Sequence, residues 1–393
     1  MKKSTPIWLL KIISISLGIS ISFFLLEFFA RLLPASDEFL FELPIVCDDP
    51  FYPNYSCIFR RKKFSNGRFT RGKFPAFPID AKKRTNDIGQ FSNVDFAEFQ
   101  AKDDSFLKII SIGDSFVEAS QVQNQKTFHG RLNEYQSSFD KKIISTAIGT
   151  AGNAFPQYII HTLFVDKQVP LDKSILIIPI IDNDFDESFI KYNPGYSGAK
   201  FNLAYPSEIY FQNRYKTTKT VLNRFLISNS YLVRYLLLNL RITDYLTDYP
   251  LCFINSKRCP VEKKYSKNNN EINYLKKQRI IDSKKATDIF LNHISNIRIT
   301  NEEKMNTIFV MDAQRQNIYD KSLPRDEFTD VQKRYFVKKA TGLGFSVLDL
   351  EKIFENNYKK NQQKFEFIND GHWNENAHQI VANEIANYLN LKK

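Results

Sequence analysis

Ile109-Ile110-Ser111-Ile112-Gly113-Asp114-Ser115-Phe116 is the stretch that decides the fold. From Leu107 to Ile112 the run is apolar and β-branched, as in a strand covered on both faces. A Gly-Asp turn then delivers a serine directly at the strand's carboxyl end. Outward from it the same rhythm recurs. Lys142–Thr146 predicts a second strand and Ile175–Ile181 a third, where Pro179 marks a bulge or a strand end. Asn306–Met311 and Phe345–Leu350 predict two more. Residues 127–138, Phe155–Phe164 and Asp326–Thr341 carry helical patterns between them. Asn376–Leu391 closes the chain as an amphipathic helix, with Asn374 as its N-cap. Strands alternating with helices imply a parallel sheet with helices on both faces.

The rhythm breaks over about 187–303. This stretch holds the apolar, helix-like run Tyr231–Leu240, a cysteine pair and the polar segment Lys263–Arg279. It predicts a largely helical insertion after the third strand, with its charged part solvated. Before the first strand, residues 34–104 look irregular, so the expected organisation is 1–33, 34–104 and 105–393. Within the extension, Arg60-Arg61-Lys62-Lys63, Arg68, Arg71 and Lys73 interleave with Phe59, Phe64, Phe69, Phe74 and Phe77. Such a run either grips an acidic polymer or is a positive loop pinned by its rings. The formal net charge of +12 suits either, and a genomic bias toward Lys and Asn accounts for it equally well.

The N-terminus bears on the compartment. Lys2, Lys3 and Lys11 precede or begin the apolar run that ends at Ala30, in which Glu27 is the one acid after Lys11. From Pro6 to Leu33 a helix could cross a hydrocarbon core of about 30 Å. The leading lysines predict a cytoplasmic N-terminus and an exported remainder. The run is longer than the apolar part of a cleaved signal peptide, and an uncleaved anchor is expected. All four cysteines follow it, as Cys47 with Cys57 and Cys252 with Cys259. An even count on the exported side predicts two disulfides, with buried free thiols as the alternative. The spacing does not suit zinc. An exported location also argues against nucleic acid as a partner, the Lys263–Arg279 segment included.

Three predicted strand ends carry groups of one chemical kind. Ser115 follows the first, Gly152 lies just beyond the second and Asn183 beyond the third. Together they offer a hydroxyl, an unobstructed backbone N–H and a side-chain amide, the donors from which an oxyanion hole is built. Far downstream, Asp370-Gly371-His372-Trp373-Asn374 supplies a carboxylate and an imidazole two residues apart. A serine hydroxyl needs a base to take its proton, and the base needs a carboxylate to orient it. Asp182, Asp184 and Asp186 mimic the start of a calcium loop, but Glu187 and Asn193 stand where that loop needs a glycine and an acid. His378 is expected to pack behind the site, and His129, His161 and His293 to sit on helix surfaces. No metal and no cofactor are expected.

These residues resemble the SGNH, or GDSL-type, hydrolase superfamily. Gly113-Asp114-Ser115 matches its first block, Gly152 and Asn183 its second and third, and Asp370 with His372 its last. The membrane-anchored bacterial members are similar in two further respects. Their anchor often ends in an acid and an arginine, as Glu27 and Arg31 do, and they often carry Asp-Gly-His-Trp-Asn before a helix. The chain departs from the family in two places. Many members space the acid and histidine as Asp-x-x-His, where this chain has Asn369; related polysaccharide-acetylating proteins use the shorter spacing found here. Asp182 stands where a small residue is usual.

The resemblance implies a flavodoxin-like three-layer α/β/α fold around a central parallel sheet. It implies a catalytic triad of Ser115, His372 and Asp370, and an oxyanion hole from Ser115, Gly152 and Asn183. The activity it implies is hydrolysis of O-acyl esters of carbohydrate or cell-envelope material through an acyl-enzyme. Two other readings remain open: O-acyl transfer to a polysaccharide by the same triad, and a non-catalytic envelope protein that keeps the fold for binding or assembly.

Overall fold

A computed structural model of the chain describes residues 7–37, 61–73, 75–137, 141–189, 191–192, 198–201, 209–212, 225–242, 269–368 and 370–392. The expected disulfides fall outside the described residues, as do all four cysteines. Contacts divide the chain into two compact units. The smaller comprises Met1–Leu40, Gly67–Asp80 and Lys216–Lys263; the larger comprises Phe41–Asn66, Ala81–Tyr215 and Lys264–Lys393.

In chain order, a long helix α1 (Ile7–Ala30) is followed by a hairpin of β1 (Asn66–Lys73) and β2 (Ala76–Arg84), and by α2 (Phe96–Ala101). Next come β3 (Phe106–Gly113), α3 (Ser115–Glu118), α4 (Phe128–Leu132), β4 (Lys142–Gly149), α5 (Phe155–Gln168), β5 (Ser174–Ile180) and α6 (Asp184–Glu187). A second hairpin, β6 (Gly198–Phe201) with β7 (Ile209–Gln212), precedes α7 (Tyr231–Arg234), α8 (Asn269–Ile297) and α9 (Asn301–Met305). The chain ends with β8 (Thr307–Met311), α10 (Arg315–Tyr319), α11 (Glu327–Gly342), β9 (Ser346–Asp349), α12 (Glu351–Asn361), β10 (Glu366–Phe367), β11 (Asp370–Trp373) and α13 (Glu375–Tyr388).

Five parallel strands in the order β4-β3-β5-β8-β9 form the centre of the larger unit. Successive side chains on a strand point to opposite faces, and the core divides accordingly. Ile110, Ile112, Leu176, Ile178 and Phe309 pack on one face with residues of α5, α8 and α11. Ile109, Ile175, Ile177, Ile308 and Val310 pack on the other with α4, α12 and α13. The architecture is three-layer α/β/α, with the strand order of flavodoxin-like folds. Pro179 sits inside β5, opposite Val310, but beyond Ile177, where the pairing of β5 with β3 ends. Its missing N–H therefore falls where that ladder is already over.

The structure departs from the sequence reading in two places. The second half of the expected insertion is α8, whose Ala286, Phe290, Leu291 and Ile294 are core residues of the sheet. It is the crossover helix between β5 and β8, disguised by a Lys- and Asn-rich exposed surface. The extension expected to be irregular contains β1, β2 and α2, and β2 alternates exposed and buried residues. Of the basic run, Arg61 is buried and pairs with Glu118 at 2.7 Å, Arg71 donates to the Leu238 carbonyl, and Arg68 pairs with Asp80 at the surface. These bonds tie the run to the fold, with Arg68 and Arg71 on β1 rather than in a loop.

Candidate active site

The carboxyl end of β3 is where the chain must stop being a strand, and Asp114 stops it. Its side chain accepts the Phe116 N–H at 2.9 Å and caps α3, so Ser115 becomes the first residue of a helix. The N–H groups of a first helical turn have no partner within the helix, which leaves the Ser115 N–H free for a ligand. Asp114 is buried, and burial raises its pKa above the ordinary carboxylate range.

The loop after β4 is sewn to this turn. Thr150 N–H donates to the Gly113 carbonyl at 3.3 Å, and the Asn153 amide reaches the same oxygen at 3.4 Å. Gly149 allows the approach, because a Cβ there would lie 2.4 Å from the Glu118 nitrogen. Gly152 adopts φ +78°, a conformation that favours glycine. Between them Ala151 N–H donates to Glu118 Oε2 at 2.6 Å. Glu118 also accepts from Ser120 and is paired with Arg61, all three being buried. Beside them Lys83 donates to the Ala119 and Val122 carbonyls at 2.9 and 2.7 Å. Burial lowers the Lys83 pKa to about 7, against the pull of Glu118.

After β5, Asn183 begins α6, and its amide is not spent on capping. Asp184 accepts from Tyr158 Oη at 2.8 Å and Ile181 N–H at 2.9 Å, and Asp186 pairs with Arg279. These two acids, which resemble a calcium loop in the sequence, serve the fold instead.

The fourth contributor is β11, paired with β10 through Glu366 and Trp373. It packs against α3. Asp370 Oδ1 lies 2.5 Å from His372 Nδ1 and also accepts the His372 N–H at 3.0 Å. Burial works against the charged form of His372, but the Asp370 hydrogen bond and the charges of Asp370, Asp114 and Glu118 outweigh it and raise its pKa. Burial likewise opposes ionised Asp370, and the hydrogen bond and charge of His372, with the His372 N–H and the Gln121 amide, together outweigh it and lower its pKa. The Phe116 ring, next to Ser115, lies 5.1 Å from the His372 ring and 5.1 Å edge-on from Trp373. α3, which Ser115 begins, packs on β11, which carries the Asp370–His372 pair. Among the described residues no hydrogen bond joins Ser115 to His372.

Several supporting residues do not stand out in the sequence. Gln121 Nε2 lies 3.0 Å from His372 Nδ1 and 3.3 Å from Asp370 Oδ2. Arg315 donates to the Gly371 carbonyl at 2.9 Å and pairs with Asp312 and Glu366. Trp373 Nε1 donates to Asp312 Oδ1 at 3.0 Å. Of these, Asp312 has a signal in its position directly after a predicted strand, and Trp373 in the Asp-Gly-His-Trp-Asn stretch. His129 and His161 are buried rather than on helix surfaces. His129 bonds the Val117 carbonyl, and burial lowers its pKa to about 3. His378 accepts the Phe128 N–H and stacks on its ring, which is the packing role expected.

A cavity of about 290 Å³ opens beside Gly371. Its walls include Asp182, Gln314, Arg315, Asp326 and Glu366. The acid that replaces a small residue at 182 therefore faces a polar space. Burial and the charge of Asp312 raise its pKa, and Arg315 opposes them.

No protein-family model matches the chain, and no curated protein matches it. Among solved structures it is similar to a member of the lipolytic protein G-D-S-L family from Veillonella parvula DSM 2008, at 10% identity and a TM-score of 0.37, over 72% of this chain and 97% of that one. It is similar to an acetyl xylan esterase, AlAXEase, at 11% identity and 0.38, over 72% and 99%. It is also similar to the lipase Lip_vut3 from a goat rumen metagenome, at 10% identity and 0.36, over 72% and 96%.

Proposed function

We propose that this chain is a serine ester hydrolase of the SGNH type, exported and held at a membrane by α1, acting on O-acyl esters of carbohydrate or envelope material. The observation that carries the reading is the 2.5 Å bond between Asp370 and His372, on a strand packed against the helix that Ser115 begins. With Nδ1 held by the carboxylate, Nε2 is left to take the serine proton. Ser115 Oγ attacks the ester carbonyl as His372 accepts its hydrogen. The oxyanion is held by the N–H groups of Ser115 and Gly152 and the Asn183 amide. The intermediate collapses to an acyl-serine, and the alcohol leaves with the proton from His372. Water, activated by the same imidazole, then releases the acid.

A second reading, transfer of the acyl group to a sugar hydroxyl, is supported by the polar cavity beside Gly371. Its carboxylates and amides suit a polyhydroxylated molecule better than a hydrocarbon chain. The two readings part at deacylation. Hydrolysis of p-nitrophenyl acetate is expected from wild type, with covalent labelling by a fluorophosphonate that Ser115→Ala abolishes. Labelling that persists in Ser115→Ala overturns the assignment of the nucleophile. Product appearing only with an added oligosaccharide acceptor establishes transfer. Neither label nor turnover in wild type leaves the non-catalytic reading.

A further inference from the structure

The smaller unit contains a contact that fixes the depth of a second apolar element. The surface of α1 is exposed almost throughout; among its described residues only Glu27 is half-buried and Ala30 buried. Its span Leu10–Ala30 has a mean hydropathy of 2.1. Glu27 stands in the last turn of that span, about 25 Å along the helix from Leu10 and so near the far edge of a hydrocarbon core. A lone carboxylate there would be costly. This one is saturated: it accepts from Ser230 Oγ at 2.8 Å, from the N–H groups of Tyr231 and Leu232 at 3.0 Å each, and from Arg31 at 3.2 Å. The start of α7 is therefore tied to the level at which α1 leaves the apolar layer.

The segment tied there has one polar and one apolar side. Arg234 reaches Asp37 at 3.3 Å, and Asn239 bonds the Pro34 carbonyl, Thr70 and the Ser36 N–H. These bonds join the segment to the chain emerging from α1 and to the first hairpin. Leu232, Val233, Leu236 and Leu237 remain half-exposed, with Phe225 63% and Leu226 42% exposed just before them. The Tyr231 ring lies between the guanidinium groups of Arg31 and Arg234, at 5.4 and 3.9 Å. Aromatic and basic groups of this kind collect at the headgroup level of bilayers.

We propose that residues 225–240 lie in the bilayer interface beside the end of α1, so that the chain meets the membrane through two elements. The occupant of the apolar side is lipid, because Glu27 holds that side at the level of the lipid around α1. This inference rests on α1 spanning the membrane, which Trp8 reports separately. The full chain is reconstituted into phosphatidylcholine–phosphatidylglycerol vesicles carrying brominated phosphatidylcholine. Wild-type fluorescence reads Trp8, with Trp373 as the buried background. In a Trp8→Phe background, Phe225→Trp and Leu237→Trp read the proposed interface. The expected result is a loss of intensity at 225 and 237 of the same order as that of Trp8, greatest with bromines near the headgroup end. Quenching of Trp8 without quenching at either new position overturns the proposal and leaves the anchor standing. Absence of quenching at all three overturns both.

Discussion

The two sides of the candidate site are held by different means. On the β3–β4 side, Ser115 and Gly152 are placed by backbone: a capped turn, a glycine that lets two loops touch, and an N–H bound to Glu118. The charges behind that side, Arg61 and Glu118 with Lys83 beside them, are buried. On the β11 side, Asp370 and His372 are placed by side chains, through Gln121, Arg315 and the Asp312–Trp373 bond, and of these Arg315 and Asp312 border a cavity. A buried ion pair cannot be half broken, because the partner left behind has no water to turn to. The contacts of Arg315 and Asp312 are also largely buried, but they border a cavity in which water can take the place of a lost partner. Damage to the first side should therefore appear as lost stability, and damage to the second as lost turnover.

The largest effect is expected from Glu118→Ala. It takes the carboxylate from Arg61 and the acceptor from the Ala151 N–H, and should cost about 3–5 kcal/mol, read as a lower urea midpoint. Lys126→Ala removes the ion pair with Glu375 at 3.0 Å, where both side chains are over 40% exposed, and should cost at most about 1 kcal/mol. Equal costs would erase the distinction between buried and open charge. Next in size is Asn183→Ala, which removes one of the proposed oxyanion donors. It should lower kcat about 100-fold or more with the urea midpoint unchanged. A rise in KM alone, or no change, would remove Asn183 from the oxyanion hole. Arg315→Lys comes third. A lysine cannot hold Asp312, Glu366 and the Gly371 carbonyl together, so kcat should fall roughly 10-fold through displacement of the Asp370–His372 turn. An effect confined to KM would place Arg315 in substrate binding instead.

The same contrast explains what the sequence discloses. Strand ends are legible because a parallel strand buried on both faces is a continuous apolar run, and the residues just past it stand on the rim. The positions of Ser115, Gly152 and Asn183 after β3, β4 and β5 are legible that way, and the Asp370–His372 bond by the spacing of the two residues. Asn374 is legible as an N-cap, and its side chain does accept the Ala377 N–H at 3.0 Å. Arg61, Lys83 and Glu118 are not, since a buried charge looks like a surface charge until its partner is known. Arg315 and Gln121 lie far from Asp370 in sequence, and nothing local links them to it. α8 reads as insertion because exposed lysines and asparagines interrupt the apolar stripe that packs on the sheet.

The smallest expected effect tests which carboxylate orients the base. His372 must be neutral to accept the serine proton, so activity rises as pH passes upward through its pKa. Burial alone would put that pKa below the ordinary 6.5; Asp370, Asp114 and Glu118 bring it above. The acid limb of kcat/KM should therefore lie above pH 6.5 in wild type. Asp370→Asn withdraws both the hydrogen bond and the nearest charge while burial remains, so the limb of the residual activity should move to lower pH. Asp114 is the competing source of negative charge, and its partner in the test is Asp114→Asn, whose limb should move less because no hydrogen bond to the imidazole is lost. A limb that stays in place in Asp370→Asn but moves in Asp114→Asn would transfer the orienting role from the β11 side of the site to the β3 side, and with it the contrast between the two.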